Sequence, residues 1–268
     1  MAGAVGAQPA IRLRNVSKTF AGAQHVQALG AVGFEVPQGQ FTSVLGPSGC
    51  GKSTLLRVIA GLIAPDAGAT VEVMAHSQNA PSDDVGVVFQ THNLLPWLTV
   101  EKNIRLAAEV RRLPADEITR RVESILPVLR LQSFRGHYPH QLSGGMRQRA
   151  AVARVLANNP AVLLMDEPFA AVDAMTRQRL QEELTAITAS ERTTVLFVTH
   201  AIEEAVFLSN RVVALSGRPG RIIADIRIDL PRPRRWEDLV RDQRFIAYRD
   251  ELTQCIHGDA PPARKEHV

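Results

Sequence analysis

Gly46-Pro47-Ser48-Gly49-Cys50-Gly51-Lys52-Ser53 decides the fold class of this chain. The stretch matches G-x-x-x-x-G-K-[ST], the phosphate-binding P-loop pattern. Its context agrees. TSVL (42–45) before it has the character of a buried strand, and STLLRVIAGL (53–62) after it has helical spacing. Glycines let a backbone wrap closely around an anion with its N–H groups pointing inward. Lys52 can reach the β- and γ-phosphates of a nucleoside triphosphate, and the Ser53 hydroxyl can serve Mg²⁺. Thr54 stands at the helix start, where its hydroxyl can reach the α-phosphate. Cys50 fills a variable position of the loop.

Two further stretches carry chemistry. In Val162-Leu163-Leu164-Met165-Asp166-Glu167 an apolar strand ends in two acids. Such a strand holds carboxylates rigidly at a sheet edge: Asp166 for Mg²⁺, Glu167 to align or deprotonate an attacking water. Leu142-Ser143-Gly144-Gly145-Met146, followed by Arg147-Gln148-Arg149, places a serine and two glycines at a helix start. That arrangement can bind an anion, and it can equally be an ordinary serine N-cap. A helical stretch separates it from the P-loop, so it suggests a site completed by a second chain.

The 268 residues, 45% apolar, suffice for one large α/β domain with a subdomain. No run approaches the roughly 18–20 apolar residues of a membrane-spanning helix. The start MAGAVGAQPAIRLR shows no secretion signal, and two cysteines, Cys50 and Cys255, fit a reducing compartment. A soluble cytoplasmic protein is the expectation. The net charge of +4 concentrates late, in Arg232, Arg234, Arg235, Arg241 and Arg244. With little aromatic interleaving, this run is expected to be a solvated surface rather than a nucleic-acid platform.

Along the chain, residues 1–10 are expected to be disordered, and strands begin at Ile11 with IRLRNV. FEVPQGQFTSVLG gives a strand, a turn at Pro37–Gly39 and a buried strand. DDVGVVFQ predicts a strand. Helices follow in VEKNIRLAAEVRRL and ADEITRRVESILPVLRL, limited or kinked by Pro114 and Pro127. TTVLFVTH is a strand ending in His200, RVVALSG and GRIIADIRIDL a late hairpin, and GDAPPARKEHV a frayed tail.

LSGGMRQR placed between a P-loop and VLLMDEP resembles the signature of the ABC ATPases. The resemblance spans roughly 11–215 and aligns further motifs in order. Gln90 matches the Q-loop glutamine that senses Mg²⁺ and contacts the membrane partner. Asp173 in AAVD matches the D-loop that crosses the dimer interface, although the usual Ser-Ala-Leu-Asp has lost its serine here. His200 matches the switch histidine on the γ-phosphate. Phe20 takes the place of the aromatic, commonly tyrosine, that stacks on adenine; a core phenylalanine is the competing reading.

The resemblance implies an α/β P-loop core with an N-terminal antiparallel β subdomain and an inserted helical subdomain over roughly 95–150. The ATPase domain would cover 11–240, with a partly disordered extension over 241–268. It implies ATP and Mg²⁺ as cofactors, Ser53, Gln90 and Asp166 toward the metal, and Lys52, Glu167 and His200 in catalysis. It also implies a homodimer in which Ser143, Gly144, Gly145 and Asp173 reach the partner's nucleotide. A separate permease would dock near Gln90–Leu98, where Leu94, Leu95, Trp97 and Leu98 suggest an apolar surface turn. LSGRPGRI (215–222), LPRPR (230–234), LLPWLTV and HAIEEAVFLSNRVVAL resemble the nitrate/sulfonate/taurine-type importers. These work at the inner face of the cell membrane with a substrate-binding protein and take up a small anion. The alternative is a soluble ABC ATPase acting on nucleic acid or ribosomes, against which the single cassette and the lack of sustained heptads argue.

Overall fold

Residues 8–22 and 25–258 are described in the computed structural model. Most of the N-terminal disorder expected over 1–10, and the tail beyond Gly258, lie outside them. The strands are β1 (Pro9–Arg14), β2 (Val16–Phe20), β3 (Val26–Val32), β4 (Glu35–Pro37), β5 (Phe41–Leu45), β6 (Thr70–Val73), β7 (His76–Ser77), β8 (Val85–Val88), β9 (Val162–Asp166), β10 (Thr194–Thr199), β11 (Arg211–Leu215) and β12 (Ile222–Arg227). The helices are α1 (Lys52–Ile59), α2 (Val100–Val110), α3 (Ala115–Val128), α4 (Gly144–Leu156), α5 (Ala174–Ser190), α6 (Ile202–Leu208), α7 (Trp236–Leu239) and α8 (Gln243–His257). Strand β1 therefore begins two residues before the expected Ile11. Among the described residues no helix is long and apolar enough to cross a membrane.

The chain divides into two units, one running to Pro81 and resuming at Thr194, the other Ser82–Thr193. In the first, β5 lies between β10 and β11, parallel to both, and β12 closes the edge antiparallel to β11. Every residue of β5 and β10 is buried, as the unbroken apolar runs of interior parallel strands require. The rings of Phe41 and Phe197 meet across this pair at 5.8 Å. A separate antiparallel sheet runs β4-β1-β6-β7, and β2 pairs with β3. The expected turn at Pro37–Gly39 is present, but it joins strands of two different sheets, β4 and β5, so it makes no hairpin. The late hairpin is as expected.

One of the C-terminal arginines departs from expectation. Arg234 is only 4% exposed and its guanidinium donates to the carbonyls of Val206, Phe207 and Ser209, and of Leu230. Arg232 donates to the Leu208 carbonyl. The last carbonyls of a helix have no partner within it. These two cations supply donors to the end of α6, where the helix dipole also favours positive charge. Trp236 stacks on Phe207 at 4.2 Å, and α8 packs on α6. Arg234 is thus a built part of the first unit, whereas Arg235, Arg241 and Arg244 are exposed, as expected of a solvated surface. The extension expected from 241 onward is helical as far as His257.

In the second unit β8 and β9 pair in parallel, and α2, α3 and α4 pack together. The helices expected over roughly 95–150 fall here, but the unit also takes in β8, β9 and α5. Pro114 stands immediately before α3, and Pro127 lies inside its last turn, close to where a missing N–H ends the helix. Buried Asn103 shapes the turn before α2. Its Nδ2 donates to the carbonyls of Leu95, Leu98 and Thr99, and its Oδ1 accepts from the Leu95 N–H at 2.8 Å. Thr99 caps the helix by accepting from the Lys102 N–H.

Candidate nucleotide site

The phosphate loop occupies the turn from β5 into α1. Gly49 and Gly51 have φ of 78° and 103°, in the left-handed region that glycine tolerates. A Cβ on Gly51 would lie 2.5 Å from the Ala28 carbonyl, so no other residue fits there. Helix α1 starts at Lys52, one residue earlier than the expected Ser53. Lys52 is buried, and its ammonium crosses the loop to the carbonyls of Gly46 and Pro47 at 2.8 and 2.9 Å. Those two bonds compensate the burial of the charge. Ser53 and Thr54 follow in the first helical turn. Cys50 is a buried free thiol.

Two other expected residues lie in the same unit. His200 is exposed immediately after β10. The turn that carries it is fixed by Thr199, whose hydroxyl donates to Glu204 and accepts from the Ala201 N–H. Phe20, at the end of β2, is 43% exposed with the Lys18 ammonium 5.6 Å from its ring centre. It is therefore not the core phenylalanine of the competing reading. Asp66 anchors the preceding residue, accepting from both the N–H and the hydroxyl of Thr19 at 3.0 Å.

In the second unit Asp166 is buried as the last residue of β9. Glu167 follows with φ of 46°, an uncommon conformation for a residue with a side chain. Glu167, Gln90, Thr91, His92, Gln148, Ala170 and Ala171 line a concavity of about 400 Å³. Gln90 is exposed there. Strand β8 ends at Val88, so Gln90 lies two residues beyond the strand and does not end it as expected. His92 was not anticipated. Its Nδ1 lies 2.5 Å from Oε1 of Gln148, a buried residue of α4. Arg154, also on α4, donates to the Asn93 carbonyl. The segment after Gln90 is thereby tied to the helix that bears Ser143 at its head. Nothing in the local sequence signals that bond, because its partners are 56 residues apart.

Ser143 is exposed and caps α4 by accepting from the Met146 N–H at 3.3 Å. The serine N-cap is thus real. Gly144, however, faces open space: a Cβ there would meet nothing within 4 Å. Among the described residues its missing side chain serves no packing need, and it leaves the backbone beside the serine cap open to approach. Asp173 is exposed and caps α5 by accepting from the Thr176 N–H, a bond that holds its pKa below the usual carboxylate range.

These features fit the groups they suggest. The loop offers converging backbone around a buried lysine, as an anion cradle must. Among the described residues no cluster of three or more His, Cys, Asp or Glu could cage a metal. Mg²⁺ held with phosphates needs only one or two protein oxygens, and each unit carries a hydroxyl or carboxylate of that kind, Ser53 in the first and Asp166 in the second.

The family model described as "ABC transporter" matches residues 29–170. The chain belongs to the ABC transporter family. It is 45% identical over 250 residues to an uncharacterised ABC transporter ATP-binding protein of Methanocaldococcus jannaschii, covering 93% of this chain and 92% of that one. It is 45% identical over 225 residues to the aliphatic sulfonates import ATP-binding protein SsuB of Bacillus cereus, with 84% and 88% covered. The bicarbonate transport ATP-binding protein CmpC of Synechococcus elongatus is 44% identical over 252 residues. That match covers 92% of this chain but 38% of the longer relative. Among solved structures, a dimeric post-hydrolysis ATP-binding cassette bound to ADP and Pi superposes with a TM-score of 0.73 at 33% identity. It covers 82% of this chain and 100% of that one. The cassette thus has the ABC ATPase fold, and it is an ATP-binding ATPase of the transport class.

Proposed function

We propose that two copies of this cassette hydrolyse ATP between them and drive uptake of a small anion through a separate membrane permease. The observation that carries this is the pair of complementary half-sites on one chain. One is a glycine cradle around buried Lys52, and the other is the serine-capped, glycine-lined N-terminus of α4 at Ser143, Gly144 and Gly145. A second copy would bring its own Ser143–Gly145 against the nucleotide held by the first, with Asp173 at the same interface. The dimeric form of the ADP- and Pi-bound relative supports such an assembly.

In this reading Lys52, Ser53, Thr54 and the amides of Gly46–Gly51 hold the phosphates, and Phe20 stacks on adenine. Glu167 accepts a proton from the attacking water while the water's oxygen bonds to the γ-phosphorus. The bond to the β-phosphate oxygen breaks, and ADP departs with that electron pair. His200 steadies the γ-phosphate. Mg²⁺, when present with the nucleotide, neutralises charge on the transferring group, and Ser53, Asp166 and Gln90 would hold it. Closing two copies over the site excludes other water.

The permease would dock on the turn after Gln90. Trp97 there is 69% exposed, beside half-buried Leu94, Leu95 and Leu98. The import ATPases for sulfonates and the transport ATPase for bicarbonate among the relatives support an anionic cargo, which a substrate-binding protein would deliver. The cassette would then lie peripherally on the inner face of the membrane. The test is a pull-down of tagged Glu167→Gln cassette, with ATP and Mg²⁺, from detergent-solubilised membranes of the native cell. A multi-span permease among the captured proteins supports the reading. Ribosomes or nucleic-acid factors in its place would overturn it.

A further inference from the structure

The loop after β11, Ser216–Arg221, is built against the back of the phosphate loop. Gly220 bridges to β3: its N–H donates to the Ala28 carbonyl at 3.1 Å, and its own carbonyl accepts from the Gly30 N–H at 2.9 Å. The contact is close enough that a Cβ on Gly220 would lie 2.2 Å from the Cys50 carbonyl. A Cβ on Gly46 would likewise meet the Leu215 carbonyl at 3.0 Å. The loop closes on itself through Ser216, whose N–H donates to the Arg221 carbonyl and whose hydroxyl accepts from the Arg221 N–H. At its tip, exposed Arg218 donates from Nε to the Gly49 carbonyl at 3.3 Å. Arg218 forms no ion pair among the described residues.

Across a trans peptide the carbonyl of one residue and the N–H of the next point in opposite directions. Holding the Gly49 carbonyl outward therefore turns the Cys50 N–H back across the loop, where it lies 3.4 Å from the Pro47 carbonyl. Lys52 secures the carbonyls of Gly46 and Pro47 from within, and Arg218 secures Gly49 from outside. Two cations thus fix three carbonyls of a loop whose amides must face an anion.

We propose that Arg218 is a positioning residue of the nucleotide site. It orients the Gly49–Cys50 peptide and adds an uncompensated positive charge at the rim of the phosphate loop, so that it raises affinity for the polyphosphate. The proposal rests on the nucleotide reading of the loop.

The test measures binding of a methylanthraniloyl-labelled ADP, and steady-state ATPase activity, for the full chain and for Arg218→Met, Arg218→Lys and Lys52→Ala. Arg218→Met is expected to weaken binding and raise KM about fivefold while kcat stays within about twofold, since the residue touches the loop and not the reacting water. Arg218→Lys, which keeps a donor and the charge, is expected within about twofold of the unaltered chain. The Met deficit is expected to shrink in about 0.5 M salt, where surface charge is screened, and melting without nucleotide to be unchanged. Binding by Arg218→Met equal to that of the unaltered chain overturns the proposal. So does a Lys variant as weak as Met with a salt-independent deficit, which would reduce Arg218 to packing. If the unaltered chain binds no better than Lys52→Ala, the nucleotide reading itself falls first.

Discussion

The guanidinium of Arg234 donates to the carbonyl of Phe207 at 2.7 Å and so finishes α6, the helix that begins two residues after His200. Burial lowers its pKa to about 10, still well above neutrality, so the group is charged in the folded protein. Replacing it by methionine leaves four buried carbonyls without their donor. Arg234→Met is expected to cost about 3 kcal/mol of stability, seen as a lower urea midpoint at unchanged slope. An unaltered midpoint would show that water satisfies those carbonyls equally well.

Lys52→Ala removes the buried ammonium at the centre of the phosphate loop. Hydrolysis is expected to fall by at least about 100-fold, with weaker nucleotide binding. A phosphate-release assay with normal turnover would remove the loop from the mechanism.

Glu167→Gln keeps the shape of the side chain and removes its basicity. Turnover is expected to drop about 100- to 10,000-fold. The ATP-bound form should accumulate as a dimer on size-exclusion chromatography. A monomer that still hydrolyses ATP at the original rate would assign the base elsewhere.

Asn103→Leu strips the turn Leu95–Thr99 of its bonds to a buried amide. The expected loss is about 2 kcal/mol of stability, together with weaker capture of the permease. Capture at full strength by a correctly folded variant would mean that the turn holds its shape unaided.

Asp66 provides a pH test. The Thr19 N–H, then the Thr19 and Ser17 hydroxyls and the Lys18 charge, hold its pKa below the usual carboxylate value. Between that lowered value and the ordinary one near about 4, the unfolded chain binds more protons, so stability falls as pH falls. The contribution is complete above the unfolded value and vanishes below the folded one. Asp66→Asn is expected to melt lower than the parent chain at neutral pH, with the gap narrowing as the pH falls below the ordinary carboxylate value and closing below the folded one. A gap that persists in acid would point to shape rather than charge.

The sequence by itself determined the chemistry that resides in short stretches. A phosphate loop, an acid pair closing a strand and a serine-capped glycine helix start are set within a few residues by backbone conformation and side-chain type. For that reason Gly46–Ser53, Asp166–Glu167 and Ser143–Gly145 could be placed on their turns, strand end and helix head before any coordinates. The strand–turn–helix order likewise fixed the α/β class. The tertiary structure alone decided which distant groups complete these stretches. Arg218 reaches Gly49 from 169 residues away. Gln148 meets His92 over 56 residues, and Arg234 turns inward to α6 where composition suggested a solvated surface. The two arginine cases are hydrogen bonds to backbone carbonyls. Every residue offers the same carbonyl, so no residue type marks the acceptor, and only the packed chain reveals which one is left without a partner.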